Sequence, residues 1–200
     1  MNMRDLKWLA GILLCGLLWN GPAAAGNVIQ TAEFPGLTPE TLYNAYLTAK
    51  DHAGMTGYPA VYYRPSSKAE VAVAQEGDEL RAFGVPGKDG KLLYLIGGRI
   101  LKLVPGKEIV TTWRAAGWSD AEHPQGPDLE SILILTFKKT AAGTEIQLVQ
   151  VDVPDDVTLD QATGEPTSET AHVNTNWYYR YWEPMHKYFE VKAASAKSKP

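Results

Sequence analysis

An aromatic amphipathic stretch near the C-terminus limits the possible folds of this chain more than any other feature. From about Asn176 to Val191 the pattern predicts a helix with apolar residues at i, i+3, i+4, i+7, i+10 and i+11, namely Tyr178, Tyr181, Trp182, Met185, Tyr188 and Phe189. Charged residues occupy the opposite face, and Pro184 is expected to bend the helix because it has no backbone donor. A face this wide must lie in a concave apolar surface, which the rest of the chain has to supply.

Short strand-like runs separated by turn residues fill the middle of the chain. We predict strands at 60–63, 69–74, 80–84, 92–95, 99–104, 108–114, 131–138 and 145–153. The connections are too short for parallel crossovers, so the strands should form an antiparallel meander. The Gly97-Gly98 pair interrupts the pattern and predicts a bulge that curves the sheet.

A short helix is expected from Thr38, which can cap it, with Pro39 at the first helical position. Its apolar stripe stops before residues 52–59, which we interpret as a Gly-rich loop. Residues 155–169 are polar and without periodicity, so we predict an acidic surface loop there. Together these elements predict an α+β helix-grip fold. In that fold a curved antiparallel β-sheet wraps around a long C-terminal α-helix, with a short helix near the N-terminus.

The first 25 residues are typical of a secretory signal peptide. Arg4 and Lys7 precede an apolar run over residues 8–19, and three alanines at 23–25 offer a cleavage site before Gly26. The run is shorter than the roughly 20 residues of a membrane span, so no span should remain after cleavage; an uncleaved anchor is the alternative. We therefore predict an exported protein, periplasmic or secreted, with one domain over residues 26–192 and a flexible basic tail over 193–200.

Composition excludes several classes of function. Cys15 is the only cysteine and lies in the signal, so the mature chain has no disulfide, thiol nucleophile or cysteine metal ligand. The formal charge of −4 does not favour nucleic-acid binding. His52, His123, His172 and His186 show no zinc-ligand spacing, and the first three are expected in loops. The acidic residues between Asp152 and Glu169 fail the calcium-loop pattern, so we predict neither a metal nor a cofactor.

Three stretches, in the right order, resemble the C-terminal domain of activators of the 90-kDa heat-shock-protein ATPase. They are His-Ala-x-x-Thr-Gly at 52–57, Leu-Val-Pro-Gly-Lys followed by Ile-Val-x-x-Trp-Arg at 103–114, and Trp-Glu-Pro at 182–184. The similarity runs from about residue 38 to 190, and that family belongs to the START-like (SRPBCC) helix-grip superfamily. The resemblance implies a cavity between sheet and long helix, and functions spread over lipid binding, cyclase-type chemistry and co-chaperoning. It supplies no catalytic set.

The predicted export argues against the co-chaperone activity itself, because the periplasm offers neither that ATP-driven partner nor ATP. The candidate binding residues are the bulky side chains expected around the implied cavity, with one basic residue as an anion contact. They are Tyr94, Trp113, Trp118, Trp177, Tyr181, Trp182 and Met185, with Arg114 as the anion contact. The alternative for each aromatic is core packing, and for Arg114 a surface ion pair. Buried Tyr hydroxyls and Trp N–H groups need partners, which a partly wet cavity would supply.

These observations predict a protein that binds a small hydrophobic or amphipathic ligand, not yet identified, between the sheet and the C-terminal helix, without transforming it. A second hypothesis is a chaperone-like or protein-interaction accessory of the cell envelope that uses an exposed apolar face. A cyclase- or hydrolase-like enzyme would instead require a titratable pair inside the cavity with opposed pKa shifts.

Overall fold

An antiparallel sheet dominates the part of the chain that this computed structural model describes, which is residues 26–87, 90–118, 131–153, 157–159 and 166–197. Its strands are β1 (Gly26–Pro35), β2 (Val61–Arg64), β3 (Ala69–Val71), β4 (Glu79–Pro86), β5 (Leu92–Val104), β6 (Glu108–Trp118), β7 (Ser131–Lys139) and β8 (Gly143–Val153). These eight strands are ordered β1-β8-β7-β6-β5-β4-β2-β3. A separate hairpin pairs β9 (Val157–Leu159) with β10 (Pro166–Ser168). The predicted meander is confirmed from β4 to β8.

Three strands were not predicted, and two predicted strands are a single one. β9 and β10 pair within residues 155–169, where we expected an acidic surface loop, and Glu169 already belongs to the C-terminal helix. β1 lies at the sheet edge and pairs with β8 from Gly26↔Val153 to Pro35↔Gly143. Only Val28 and Phe34 of β1 are buried, so the sequence of this strand shows only a weak apolar pattern. The predicted runs 92–95 and 99–104 are both part of β5, because the glycines between them keep an extended backbone.

The Gly97-Gly98 pair is explained by close packing of β5 on β6. Register shifts occur between Tyr94 and Ile96 and again between Ile100 and Lys102, so irregular pairing lies on both sides of the pair. A Cβ at Gly98 would be 1.8 Å from the carbonyl oxygen of Thr112. Glycine is required there because two backbones approach each other closely.

Two helices precede β2. Helix α1 (Pro39–Leu47) begins where Thr38 predicts, and the Thr38 hydroxyl accepts the backbone N–H of Thr41 at 3.2 Å. Residues 52–59 are not the loop that we expected, because α2 (Ala49–Thr56) covers most of them and ends at Gly57 with φ +72°. Glycine weakens the helical signal in the sequence, but a Cβ at Gly54 would be 2.5 Å from the Tyr188 ring, so packing requires it.

The C-terminal helix runs over residues 169–197, longer at both ends than predicted. It consists of α3 (Glu169–Trp177), a π turn (Tyr178–Trp182) and α4 (Glu183–Lys197). Glu183 donates its N–H to the carbonyl of Tyr178, five residues back. Pro184 has no N–H for the carbonyl of Arg180 and would crowd it in a regular helix, so the wider turn accommodates the proline. Of the flexible basic tail predicted over residues 193–200, residues 193–197 form the last turn of α4, and residues 198–200 lie outside the described residues.

The C-terminal helix lies against the buried face of the curved sheet, as the helix-grip prediction requires. Burial alternates along β7 and β8, so that one face of each strand is apolar and buried. Trp177, Tyr181, Trp182, Met185 and Phe189 of the helix belong to the same core as Leu133, Leu148 and Trp113 of the sheet. Within the described ranges, no helix is both long and apolar enough to cross a membrane.

The close approach at Gly98 predicts a severe loss of stability on Gly98→Ala. The added methyl would sit 1.8 Å from Thr112 O, so β5 or β6 must move and lose ladder hydrogen bonds. We expect the free energy of unfolding in urea to fall by more than about 3 kcal/mol. Leu101→Ala, on the same strand but 46% exposed, is the control and should change it by less than about 0.5 kcal/mol. Equal effects of the two substitutions would contradict this reading of β5.

Candidate functional site

Four of the predicted binding residues form one aromatic cluster between the C-terminal helix and the sheet. Trp113 of β6 packs against Trp177 at a ring-centroid distance of 5.0 Å and against Tyr181 at 6.0 Å. Trp177 lies 4.5 Å from Tyr181 and 6.0 Å from Trp182. All four side chains are buried. We call Trp113, Trp177, Tyr181 and Trp182 the aromatic cluster.

The remaining predicted residues have different surroundings. Met185 is buried in the same core, one helical turn beyond the aromatic cluster. Tyr94 is buried on β5, opposite Gly84 of β4 and Trp118 of β6. The backbone of Arg114 pairs with Gly97, but the side chains of Arg114 and Trp118 lie outside the described residues. The proposed anion contact therefore stays a prediction.

Protein side chains supply the partners that the buried indole groups need. Trp177 Nε1 donates to Gln150 Oε1 at 2.8 Å, and Gln150 Nε2 in turn donates to Ser131 Oγ at 2.7 Å. Trp182 Nε1 donates to Gln30 Oε1 at 2.5 Å. These two glutamines come from β8 and β1, so the sheet holds the helix by hydrogen bonds as well as by apolar contact.

A second cluster, which the sequence did not reveal, surrounds His52. This histidine is fully buried on α2 rather than in a loop. Its Nδ1 lies 2.9 Å from the carbonyl oxygen of Tyr46 and 3.1 Å from the hydroxyl of Tyr62, and its Nε2 lies 3.1 Å from the hydroxyl of Tyr181. The Tyr62 hydroxyl also donates to the Tyr46 carbonyl. We call Tyr46, His52, Tyr62 and Tyr181 the His52 cluster; Tyr181 belongs to both clusters.

Contacts between α2 and α4 position His52. Gly54 leaves room for the ring of Tyr188, which packs on it. The Tyr188 hydroxyl donates to Asp51, and Lys192 Nζ lies 3.0 Å from Asp51 Oδ1. Because Asp51 precedes His52 directly, these contacts hold the imidazole between α1 and the π turn.

The buried groups of the His52 cluster are held in their neutral forms. Burial lowers the pKa of His52 to about 4, against a smaller opposite effect of the hydrogen bond with the Tyr46 carbonyl. Burial also raises the pKa of Tyr62 and Tyr181, and the nearby Tyr46 hydroxyl adds to both increases. A neutral His52 must carry its proton on Nδ1 to donate to the Tyr46 carbonyl, which leaves Nε2 to accept the hydroxyl of Tyr181.

The hydroxyl of Tyr46 is the exception in this cluster. Tyr46 is 4% exposed, and its hydroxyl has no hydrogen-bond partner among the described residues. Burial raises the pKa of Tyr46, so the group stays a protonated donor. A buried donor without an acceptor costs stability, and native proteins rarely leave one.

Phe83 of β4 carries backbone strain beside the same cluster. Its φ of +56° lies in the left-handed region, which bulky residues rarely adopt. The ring is nevertheless buried and contacts Tyr181 at a centroid distance of 5.5 Å and Tyr58 at 5.3 Å. Such strain costs about 1–3 kcal/mol and tends to occur near functional sites.

The outer side of the helix forms a second, more polar surface. An open cleft of about 380 Å³ lies between β1 and the helix, lined by Thr31, Ala32, Tyr178, Trp182, Glu183, His186, Lys187 and Glu190. His186 stacks on Phe34 with centroids 4.4 Å apart, while Tyr178 and Tyr179 are more than half exposed. In the described part of the chain, no group of three or more His, Cys, Asp or Glu side chains is arranged to hold a metal ion.

Comparisons with known proteins agree with this architecture. The family model described as "Activator of Hsp90 ATPase homolog 1-like protein" matches residues 37–190. No curated protein matches the chain.

Solved structures similar to this chain share its fold at low sequence identity. A protein from Rhodobacter sphaeroides has a TM-score of 0.53 and 17% identity, over 88% of this chain and 97% of the other. A protein from Chromobacterium violaceum also has a TM-score of 0.53 and 17% identity, over 80% and 95%. DynU16, from the dynemicin biosynthetic locus, has a TM-score of 0.53 and 16% identity, over 83% of this chain and 48% of its own.

The lowered pKa of His52 predicts that acid destabilises the fold. Between the unfolded-state pKa of 6.5 and the folded value of about 4, only the unfolded chain binds the proton, so the free energy of unfolding decreases as pH falls. The free energy of unfolding should fall by about 3 kcal/mol in total between pH 7.5 and pH 4, and urea unfolding at the two pH values checks this.

The control for this prediction is His52→Gln, which cannot titrate and keeps an oxygen or nitrogen near Tyr181. Its stability at pH 7.5 should be lower than that of the wild type, but its slope between pH 7 and pH 4 should be shallower. Asp51 does not confuse the comparison. Burial alone would raise the pKa of Asp51, but hydrogen bonds from Tyr188 and Lys192 lower it. The stabilisation provided by ionised Asp51 is therefore lost at lower pH than the stabilisation provided by neutral His52. Identical slopes for the two proteins would refute the assignment.

The unpartnered hydroxyl predicts opposite effects of two similar substitutions. Tyr46→Phe removes a donor that lacks an acceptor, so the free energy of unfolding of ligand-free protein should rise by about 1 kcal/mol. Tyr181→Phe leaves His52 Nε2 without its donor and should lower it by about 1–3 kcal/mol. Tyr178→Phe, at an exposed position, is the control. A destabilising Tyr46→Phe would mean that this hydroxyl has a partner within the fold.

Proposed function

The chain belongs to the family of Activator of Hsp90 ATPase homolog 1-like proteins, and on this basis we propose that it is an exported protein that binds a small hydrophobic or amphipathic ligand. The ligand would lie between the sheet and the C-terminal helix, against the aromatic cluster. Members of this fold family generally bind ligands or resemble polyketide cyclases.

The observation that carries this proposal is the buried, unpartnered hydroxyl of Tyr46 beside the aromatic cluster. Tyr181 connects the two regions, since it contacts Trp113 and Trp177 and also hydrogen-bonds His52. Aromatic walls with a few polar groups are typical of small-molecule sites. Within the proposal, the Tyr46 hydroxyl, which has no hydrogen-bond partner among the described residues, is one such polar group.

The pKa shifts favour binding over proton transfer. His52 and Tyr181 shift in opposed directions, as a catalytic pair would, but each moves away from neutral pH. A general acid or base works best with a pKa near the operating pH, so a histidine with a pKa of about 4 is a weak base. The pair is therefore better suited to orient a bound molecule than to transfer its protons.

Export is supported by the N-terminal sequence. Residues 1–25 combine basic residues, a short apolar run and three alanines before Gly26. A cut at this point would leave all eight strands of the sheet intact.

Native mass spectrometry tests both parts of the proposal. Protein purified from its own cells should have a covalent mass that begins at Gly26 and should carry a non-covalently bound small molecule. Trp177→Leu, which removes a wall of the aromatic cluster, should reduce the bound fraction, and Leu101→Ala, an exposed position on β5, should not. A retained N-terminus would refute export, whereas the absence of any bound molecule in gentle preparations would refute ligand binding.

The exposed aromatic pair on the π turn favours an alternative, a chaperone-like or protein-interaction accessory of the cell envelope. Tyr178 and Tyr179 are 54% and 61% exposed, and Tyr178 lines the cleft beside β1. Exposed apolar side chains that cluster in this way are typical of interaction sites. Under this alternative the wild type suppresses aggregation of an unfolded client protein, and the double substitution of Tyr178 and Tyr179 by Ser abolishes the effect while leaving stability unchanged.

A further inference from the structure

A free backbone edge of the sheet borders the open cleft between β1 and the C-terminal helix. We propose that this edge and the cleft together bind an extended basic segment of another protein, which adds to the sheet as a strand beside β1. The site lies on the outer side of the helix, so the inference does not depend on a ligand at the aromatic cluster. It gives the alternative of protein interaction a defined surface and a defined class of partner.

The pairing of β1 with β8 shows which backbone groups of β1 are already used. Gly36 donates its N–H to the carbonyl of Ala142 at 2.8 Å, so these two residues form a hydrogen-bonded pair at the end of the ladder. A Cβ on Gly143 would clash with the carbonyl oxygen of Phe34, so that oxygen also faces β8. Bonded and non-bonded pairs alternate along an antiparallel ladder, and the even-numbered residues from 28 to 36 therefore bond β8.

The odd-numbered residues of β1 direct their backbone groups to the other side. The N–H and C=O groups of Ile29, Thr31 and Glu33 point away from β8, where no described strand pairs with β1. All three residues are exposed. Pro35, which has no N–H, follows in the same series, as expected for a proline on an edge strand. Three alternate residues with free donors and acceptors form a template to which an extended chain can add.

The cleft gives this edge a wall against which side chains can pack. Thr31 and Ala32 form its β1 side, and one face of the C-terminal helix, from Tyr178 to Glu190, forms the other. Its volume of about 380 Å³ lies within the range of about 300–1,000 Å³ that is typical of small-molecule sites, so it has room for side chains. Alternate side chains of a strand project to the same face, so every second side chain of an added strand would enter the cleft.

The charges around the cleft select a basic segment. Lys187 is the one lysine or arginine in the described lining, and it already pairs with Glu183 at 2.7 Å. Glu190, in the same lining, and Glu33, on the exposed face of β1, form no ion pair with a described residue. Three carboxylates thus surround one ammonium group. A Lys or Arg side chain entering the cleft gains Glu190 as an ion partner and the exposed ring of Tyr178 as a cation–π partner.

The same charges disfavour a second copy of the chain as the occupant. A two-fold axis that paired β1 with β1 of another copy would place the two C-terminal helices side by side on one face of the joined sheet. Glu183 and Glu190 of one helix would then lie near the same residues of the other. Like charges oppose such a contact, whereas a basic segment neutralises them.

Amide hydrogen exchange tests strand addition residue by residue. Exchange rates of the purified protein are measured by NMR at pH 7 and low salt, without and with a saturating amount of the acetylated, amidated peptide Thr-Lys-Val-Lys-Val-Lys-Thr. The N–H groups of Ile29, Thr31 and Glu33 should exchange rapidly in the free protein and at least about tenfold more slowly with the peptide. The N–H groups of Gln30 and Ala32, which bond β8, are the internal control and should exchange slowly in both samples.

Two charge-reversal variants test the choice of a basic partner. Glu190→Lys should raise the dissociation constant of this peptide, obtained by NMR titration, about three- to tenfold. Glu70→Lys makes the same change at an exposed position of β3, at the other edge of the sheet, and should raise it by less than about twofold. The peptide with Glu in place of each Lys should bind the wild type at least about tenfold more weakly.

Each other result overturns a defined statement. Binding without protection of the three free N–H groups would show that charge alone holds the peptide, and strand addition would be refuted. Equal affinity for the Glu peptide, or equal effects of the two variants, would refute the basic class. Protection that is present without peptide and disappears on dilution would assign the edge to a second copy. Failure of the Lys peptide to bind would refute the inference, while ligand binding at the aromatic cluster would still stand on its own test.

Discussion

Aromatic side chains with polar tips, buried between the C-terminal helix and the sheet, set where that helix can lie. Trp177, Tyr181 and Trp182 each bury a large ring together with one hydrogen-bonding group, and each such group must find a partner where the ring lies. Gln150 of β8, His52 of α2 and Gln30 of β1 supply these partners. Apolar contact alone would tolerate a shifted helix. Three separate hydrogen bonds, to three different elements, favour one rotation of the helix about its axis and one depth of the helix against the sheet.

The same constraint explains why the interior is neutral. Tyr181 can donate to His52 only while the imidazole is unprotonated, and burial maintains that state by lowering the histidine pKa. The hydrogen bonds of the His52 cluster are then complete except at the Tyr46 hydroxyl, which has no partner among the described residues. Stability would be better served by phenylalanine at this position. The strained backbone of Phe83 lies beside Tyr181 of the same cluster.

The elements with strong periodic patterns could be predicted from the sequence, and those that depend on distant contacts could not. The strands β4 to β8 and helix α1 were found because their apolar residues repeat with the period of the element. Helix α2 was missed because Gly54 weakens its pattern, and only the Tyr188 ring, 134 positions along the chain, explains the glycine. The π turn likewise follows from Pro184 only once the helix is held on the sheet.

The sequence by itself determined the fold class and the aromatic face of the last helix, because period and turn chemistry are local properties of the chain. It also placed Trp113, Trp177, Tyr181 and Trp182 among the candidate binding residues; the structure packs their rings together, and their role in binding stays a prediction. The burial of His52, and a Tyr46 hydroxyl without a partner among the described residues, became visible only when the elements were packed together. Those properties arise where α1, α2, β2 and the π turn meet, and no local pattern records which donors remain unpaired after four elements have packed together.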